Sequence, residues 1–435
     1  MSEAIRTTRR QFLNQSSAVT AGALLSGGGI ARRAHAAGSD VLRAVLVGCG
    51  GRGRGAAADW LEADPRCRLV ATADAFREQA ARAAETLAQR FPDQVDIGDR
   101  VFGDFDCCSQ ALATDCDVVL LCEPPGFRPA HYQAAVQAGI HVFMEKPVCI
   151  DAPGYRKVMA ANRDADEQGL KVVVGLQSRH DPRLIDTIRR IHDGALGDIT
   201  YLRAYRNGAG VWVRPRQPDQ TEMQYQVSNW YYFVWLSGDQ IVEQHVHHLD
   251  RINWAMRDQH PIEANGMGGR QVRKGVDYGQ IYDHQCVEYL YPDGTRLFSQ
   301  NRHIRNCWNF GGQFVHGTRG HSDCSGRIEG ENAWRYEGPS VRATLQEHVN
   351  LVRAIADDTP RNEAYYGADS SFTAILGRMA TYSGQVIKWE EAVAQGRDEM
   401  PPRLAWDAQP PLLPDEDGGY ESSVPQPGIY QPFTA

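Results

Sequence analysis

Residues 41–55 read "VLRAVLVGCGGRGRG". The apolar run "VLRAVLV" has the length and β-branched content of a buried strand, and the glycine cluster after it breaks the strand into a tight turn before a helix-like segment. Within that turn Gly48-x-Gly50-x-x-Gly53 is the spacing that a dinucleotide's pyrophosphate requires. The first glycine permits the turn, the second lets the backbone approach the phosphates, and the third lets the helix pack closely. Gly51 and Arg52 complete the turn. The next strand-like run, "RLVATAD", ends in Asp74, 24 residues beyond Gly50. A carboxylate there can accept hydrogen bonds from a ribose diol and repels a 2′-phosphate, so NAD is favoured over NADP; Arg52 and Arg54 temper that preference.

Outward from the turn, strand-like and helix-like segments alternate: "CDVVLLCEPP" leads into "RPAHYQAAVQAG", and "HVFMEKP" into "APGYRKVMAANRDADEQG". Apolar strands joined by helices imply a parallel, helix-covered sheet. After about residue 168 the texture changes, and "DITYLRAYR", "HQCVEYLY" and "TRLFSQNRH" alternate apolar with polar residues, as half-exposed antiparallel strands do. The expected fold is α/β: a Rossmann domain over 37–168, an α/β domain with a large, mainly antiparallel open-faced sheet over 169–400, and a Pro-rich extended tail over 401–435. No internal repeats are evident.

Residues 1–36 carry Arg9-Arg10, then Phe12 and Leu13, a weakly apolar stretch and "AHA" ending at Ala36. That order matches a twin-arginine signal, read by an export machinery that carries folded proteins, and predicts a periplasmic location. A nucleotide loaded before export would travel inside the folded chain.

The 435 residues carry a formal net charge of −8 with no long basic run, which argues against nucleic acid as a partner. No apolar run reaches the roughly 18 to 20 residues that span a bilayer. The ten cysteines form no metal-ligand spacing and read as small buried residues. A small molecule is therefore the expected ligand.

Two further segments carry chemistry. Glu145-Lys146-Pro147 ends an apolar strand at the carboxyl edge of the parallel sheet, where an ammonium can polarise a hydroxyl; a solvated surface pair is the plainer alternative. In "GDQIVEQHVHHLDRINWAM", residues 238–256, a helix at about 100° per residue puts Glu243, His247 and Asp250 on one stripe and Val242, Val246, Leu249 and Met256 on another. A neighbouring carboxylate would steady His247 as a proton acceptor. Metal binding through Glu243 and His247 lacks a third ligand, so no metal site is assigned.

These features together resemble the Gfo/Idh/MocA family of oxidoreductases. The resemblance rests on the glycine turn, Asp74, "EPPGFRPAH", "EKP", "VGLQSRHDP", "EQHVHHLD" and "GQVIKWEEA". It implies a sugar or polyol bound between the two domains, with Lys146, His247 and Glu243 as the catalytic set. It also implies that Glu123, Pro124, His131, Glu145 and Lys146 stand with the glycine turn around the nucleotide. A homo-oligomer joined through the open sheet is expected as well. The sequence departs from the family pattern by carrying Glu243 where aspartate is usual.

Arg179 and Asp250 are candidate substrate contacts, with an ordinary salt bridge the alternative for Arg179. Trp230 stands among Trp212, Tyr231, Tyr232 and Trp235, whose faces suit a carbohydrate's C–H patches or equally a core. Three functions compete. The first is a sugar or polyol dehydrogenase transferring hydride to tightly held NAD. The second is a redox-neutral glycosidase, lyase or epimerase using transient oxidation. The third is a sugar-binding protein with an idle nucleotide.

Overall fold

From Leu42 onward, strands that are apolar at nearly every position pair side by side and leave the helices to cover both faces. The computed structural model describes residues 41–433; the twin-arginine segment lies outside them. Strands β1 (Leu42–Val47), β2 (Cys67–Ala73), β3 (Val101–Phe102), β4 (Val118–Leu121), β5 (His141–Met144) and β6 (Val172–Val174) form a parallel sheet in the order β3-β2-β1-β4-β5-β6. Helices α1 (Gly51–Ala63), α2 (Arg77–Arg90), α3 (Cys107–Leu112), α4 (Arg128–Gln137) and α5 (Ala152–Glu167) make the crossovers. The strand order reverses between β1 and β4, so their carboxyl ends open a crevice. Gly48 follows β1 there, and Glu123 follows β4.

The sequence-based boundary after residue 168 needs moving. β6 pairs in parallel with β5, Val142 opposite Val172, so the first sheet runs to about Leu176. The reason is visible in "KVVVG", whose three valines are wholly buried, as a strand covered on both faces must be.

The second sheet comprises β7 (Ile199–Gly208), β8 (Glu263–Gly269), β9 (His284–Leu290), β10 (Arg296–His303), β11 (Phe310–Gly317), β12 (Gly320–Ser322), β13 (Arg327–Gly330), β14 (Trp334–Arg335) and β15 (Ile387–Lys388). Its order is β14-β13-β12-β11-β7-β10-β9-β8-β15, antiparallel throughout except between β7 and β10. The longer of the remaining helices are α6 (Pro182–His192), α7 (Glu222–Ser228), α8 (Val246–Ala255), α9 (Ala343–Ala356), α10 (Ala364–Ser383) and α11 (Trp389–Gln395). Alternation along β7 sends Leu202 and Ala204 into the core beneath α8, while Tyr201 on the opposite face is exposed.

Two long-range packings hold the sheets. Helix α10, about 30 Å long for its 20 residues, is buried on almost every side between α5, α8 and β8. Helix α9 returns to the first sheet, where Leu351, Val352 and Ile355 join Leu46, Val118, Phe143 and Val173. Fully burying an aliphatic side chain of this size is worth about 1.5–3 kcal/mol, so these three residues contribute substantially to a sheet they do not belong to. The tail packs without a core of its own: Trp406 lies tilted against Phe76 and Phe105, with ring centroids at 5.1 and 4.4 Å, and Tyr420 is buried. Seven of the ten cysteines are buried.

Candidate active site

The β1–β4 crevice holds a cavity of about 270 Å³ lined by Gly48, Gly50, Asp74, Glu123, His131 and Trp230, among others. Gly48 has φ +88°, and a Cβ on it would lie 2.3 Å from the Glu123 nitrogen. A Cβ on Gly53 would lie 1.8 Å from the Gly48 carbonyl oxygen. Gly50 and Gly51, by contrast, meet no atom within 4 Å and front open space at the uncapped N-terminus of α1. Free N–H groups at such a helix start favour a phosphate. Asp74 sits where the sequence places it, accepting from the nitrogens of Cys49 (2.8 Å) and Phe76 (2.9 Å). A carboxylate has about four acceptor sites, which leaves capacity for a ribose diol. Glu123 takes His131 Nδ1 at 3.2 Å through one oxygen, while its other oxygen is buried without a protein partner. Glycine cradle, free N–H groups and orphaned carboxylate oxygen together fit a dinucleotide.

Arg52 lines the cavity, and Glu145 stands behind it. The guanidinium of Arg52 bonds Glu145 and reaches Glu347 of α9 at 2.9 Å. The guanidinium is thus paired with the Glu145 carboxylate, and Glu145 acts through Arg52. Burial, then Glu145, push the Glu347 carboxyl well above its usual range.

Lys146 leaves β5 at the carboxyl edge and meets the segment before α8. Its Nζ donates to the Glu243 carbonyl oxygen at 2.6 Å and to Glu243 Oε1 at 2.9 Å. This corrects the expected pairing of Glu243 with His247. The helix is not uniform: Ile241–His245 is a π-helical turn, which changes the register at which a side chain meets its neighbours four residues on. Glu243 therefore steadies Lys146, and the longer glutamate still reaches its partner. His247, at the start of α8, is partly exposed, with Nδ1 buried and unpartnered. Burial, then Lys146 and Arg251, push its imidazole well below the ordinary 6.5, so the ring is neutral near pH 7.

Arg179 and Asp250 belong to the interior rather than to a substrate surface. Arg179 pairs with Asp250 and Asp258, each at 2.8 Å, and its guanidinium lies 3.8 Å from the Tyr366 ring centre. Asp250 is fully buried and also accepts from Ser370 at 3.0 Å. Tyr231, Tyr232 and Trp235 are core residues, whereas Trp212 and Trp230 line the cavity. Sequence reading missed Arg214 and Phe105 as further lining residues. Phe105 follows β3 at the carboxyl edge of the sheet, and that position was its available signal; Arg214 comes from the irregular loop that also carries Trp212. Among the described residues no cluster of three or more His, Cys, Asp or Glu could hold a metal, and no helix is long and apolar enough to cross a membrane.

Sheet order and the glycine cradle define a Rossmann fold suited to a dinucleotide. Residues 42–176 match the oxidoreductase family GFO_IDH_MocA, NAD-binding Rossmann fold, and the chain is an NAD(P)-dependent oxidoreductase. It is similar to an inositol 2-dehydrogenase of Rhizobium meliloti, 24% identical over 280 residues, spanning 64% of this chain and 74% of the relative. It is also similar to the scyllo-inositol 2-dehydrogenase (NADP(+)) IolW of Bacillus subtilis, 29% identical over 53% of this chain and 60% of the relative. In fold it resembles aldose-aldose oxidoreductase from Caulobacter crescentus complexed with glycerol: TM-score 0.62, 19% identity, 80% of this chain and 99% of that one. The WlbA dehydrogenase from Bordetella pertussis, in complex with NADH and UDP-GlcNAcA, is comparable: TM-score 0.61, 19% identity, 80% and 98%.

Proposed function

We propose that the protein oxidises a secondary hydroxyl of a sugar or polyol, with Lys146 and His247 acting on that oxygen, NAD held tightly throughout, and the hydride then passed in place to the carbonyl of a second sugar so that NAD is restored. The observation that carries this reading is the Lys146–Glu243 pair beside a neutral His247, at the carboxyl edge of the sheet that forms the nucleotide cavity. Inositol dehydrogenases among the relatives favour a polyhydroxylated substrate.

Gly48, Gly50, Gly51, Gly53, Asp74, Glu123, Pro124 and His131 would hold the nucleotide, whose nicotinamide accepts a hydride when bound. An ammonium has three N–H donors, of which Glu243 takes two; the third is left for the substrate oxygen. His247 takes the hydroxyl proton at its cleft-side nitrogen. Because a protonated His247 cannot do so, kcat/KM is lost as pH falls through its depressed pKa. The acid limb should therefore lie below 6.5, and a limb above that value in a pH–rate profile would remove His247 as the acceptor.

Asp74 favours NAD over NADP. Trp212 and Arg214 roof the cavity from the second sheet's side, and Trp406 of the tail packs on Phe76 and Phe105 of its wall. These covers support slow release and a nucleotide exported to the periplasm inside the folded chain. Protein purified gently from that compartment and denatured should release close to one NAD per chain, identified by mass. Substoichiometric nucleotide would defeat tight retention, and NADP would defeat the Asp74 assignment.

We also propose that copies associate through the open face of the second sheet. Tyr201, Phe298 and Trp308 are exposed there, and Trp308 stacks on Phe310 with ring centres 5.2 Å apart. An apolar stripe of this kind marks an interaction surface. Sedimentation should show Trp308→Asp to weaken the oligomer, and a wild-type monomer would refute it.

A further inference from the structure

We propose that Arg206, His248 and Gly311 form a second substrate subsite, which holds a hydroxyl other than the one oxidised. The inference rests on the proposed oxidation at Lys146 and His247 and names a feature of its substrate.

The protonation of His248 follows from its surroundings. Gln313 Nε2 donates to the Asp323 carbonyl oxygen at 2.5 Å and to Ser325 Oγ at 3.3 Å, which fixes Gln313 Oε1 as an acceptor. That oxygen faces His248 Nδ1 at 2.9 Å and Arg251 Nη1 at 3.0 Å. Nδ1 must therefore carry the proton. Burial, then Arg251, hold the ring at about 4, so it is neutral near pH 7 and Nε2 presents a bare lone pair. Among the described residues no protein group bonds Nε2, and it is not among the sealed polar atoms of the interior.

Arg206 supplies the complementary donor. It lies on β7, and its Nη2 donates to Gln244 Oε1 at 2.8 Å; Gln244 Nε2 in turn donates to Glu243 Oε2, and Glu243 holds Lys146. A continuous polar wall thus runs from Lys146 to Arg206. Arg206 has no carboxylate bonded to it among the described residues. Opposite Arg206 in register stands Gly311 of β11. A Cβ at Gly311 would lie 3.6 Å from His248 Nε2 and 3.7 Å from Arg206 Nη1. One donor and one acceptor therefore converge on the space that a side chain would occupy.

A hydroxyl answers both groups, accepting from Arg206 and donating to His248. A carboxylate would satisfy Arg206 but oppose the lone pair, and an ammonium would do the reverse. Sites that bond a substrate hydroxyl in this way reject analogues lacking it by factors that reach about 10⁴–10⁵, because their own polar groups are left unpaired. The substrate is accordingly a diol or polyol, with one hydroxyl at Lys146 and His247 and a second along the wall.

The test uses NAD-loaded full-length protein with ¹⁵N-labelled histidine, titrated separately with myo-inositol, D-glucose and glycerol. At least one probe should move the His248 Nε2 resonance and leave Nδ1 protonated. His248→Asn retains a donor to Gln313 but loses the acceptor, and Gly311→Ala fills the space with every hydrogen bond intact. Each variant should weaken that probe by about ten- to a hundredfold. Binding that leaves Nε2 unmoved, unchanged affinity in both variants, or no response to any of the three probes overturns the subsite. Nicotinamide absorbance read on the same samples separates the two ideas: a shifted Nε2 without NADH from any probe tells against oxidation and leaves the subsite standing.

Discussion

Replacing Lys146 by methionine, or His247 by alanine, is expected to lower kcat by roughly 10²–10⁴-fold each while the nucleotide stays bound. Methionine keeps most of the apolar stem of Lys146 and removes only the ammonium. Glu243 then loses the donor at 2.9 Å, and its carbonyl loses the one at 2.6 Å. Neither residue lines the glycine cradle, so nucleotide content should not change. Because both groups act on one oxygen, the double variant should lose little more than the worse single one. Initial rates on the three proteins, alongside the NAD released on denaturation, decide the matter. Near-wild-type turnover in either single variant removes that residue from the chemistry.

A single methyl group at two neighbouring glycines should give opposite patterns of damage. In Gly53→Ala the new Cβ falls 1.8 Å from the Gly48 carbonyl oxygen and 3.0 Å from its carbon, backbone atoms with no room to withdraw. The turn must distort, at about 1–3 kcal/mol by comparison with other overpacked sites, and both nucleotide binding and thermal stability should fall. In Gly50→Ala the methyl meets no protein atom within 4 Å. Stability should hold there, while the methyl occupies the approach of the pyrophosphate and nucleotide content falls sharply. Melting curves and NAD quantification on the two variants separate the cases. Full nucleotide content in Gly50→Ala would place the phosphates elsewhere.

Much of this arrangement is legible in the chain because it is local. A strand breaking at Gly48, an acid ending the next strand at Asp74 and a lysine ending another at Lys146 each follow from periodicity and punctuation within a few residues. The positions that misled depend on contacts across long separations. Asp250 shares a helical stripe with His247 on paper, yet Arg179 and Ser370, from other parts of the chain, draw it inside. Glu243 is displaced from its expected partner by a π-helical turn, which has no signature in residue order. Gly311 reads as a plain strand glycine until β7 and α8 bring Arg206 and His248 to it. The strand "KVVVG" shows the converse: its apolar run is correctly a buried strand, but only the pairing with β5 says which sheet it joins.

The return of α9 to the first sheet bears on the order in which the protein matures during synthesis. Phe143 and Val173 find their cover in Leu351, Val352 and Ile355, and Arg52 of the glycine turn finds Glu347 on the same helix. A ribosome adding roughly 5–20 residues per second reaches that helix some 8–35 s after β6 has been made. Through that interval the nascent nucleotide fold exposes an apolar flank and leaves Arg52 without Glu347. A fragment ending near residue 176 would remain in that condition permanently. The apolar flank of the first sheet is thus completed by a helix made long after its strands, and so is the second carboxyl group at Arg52.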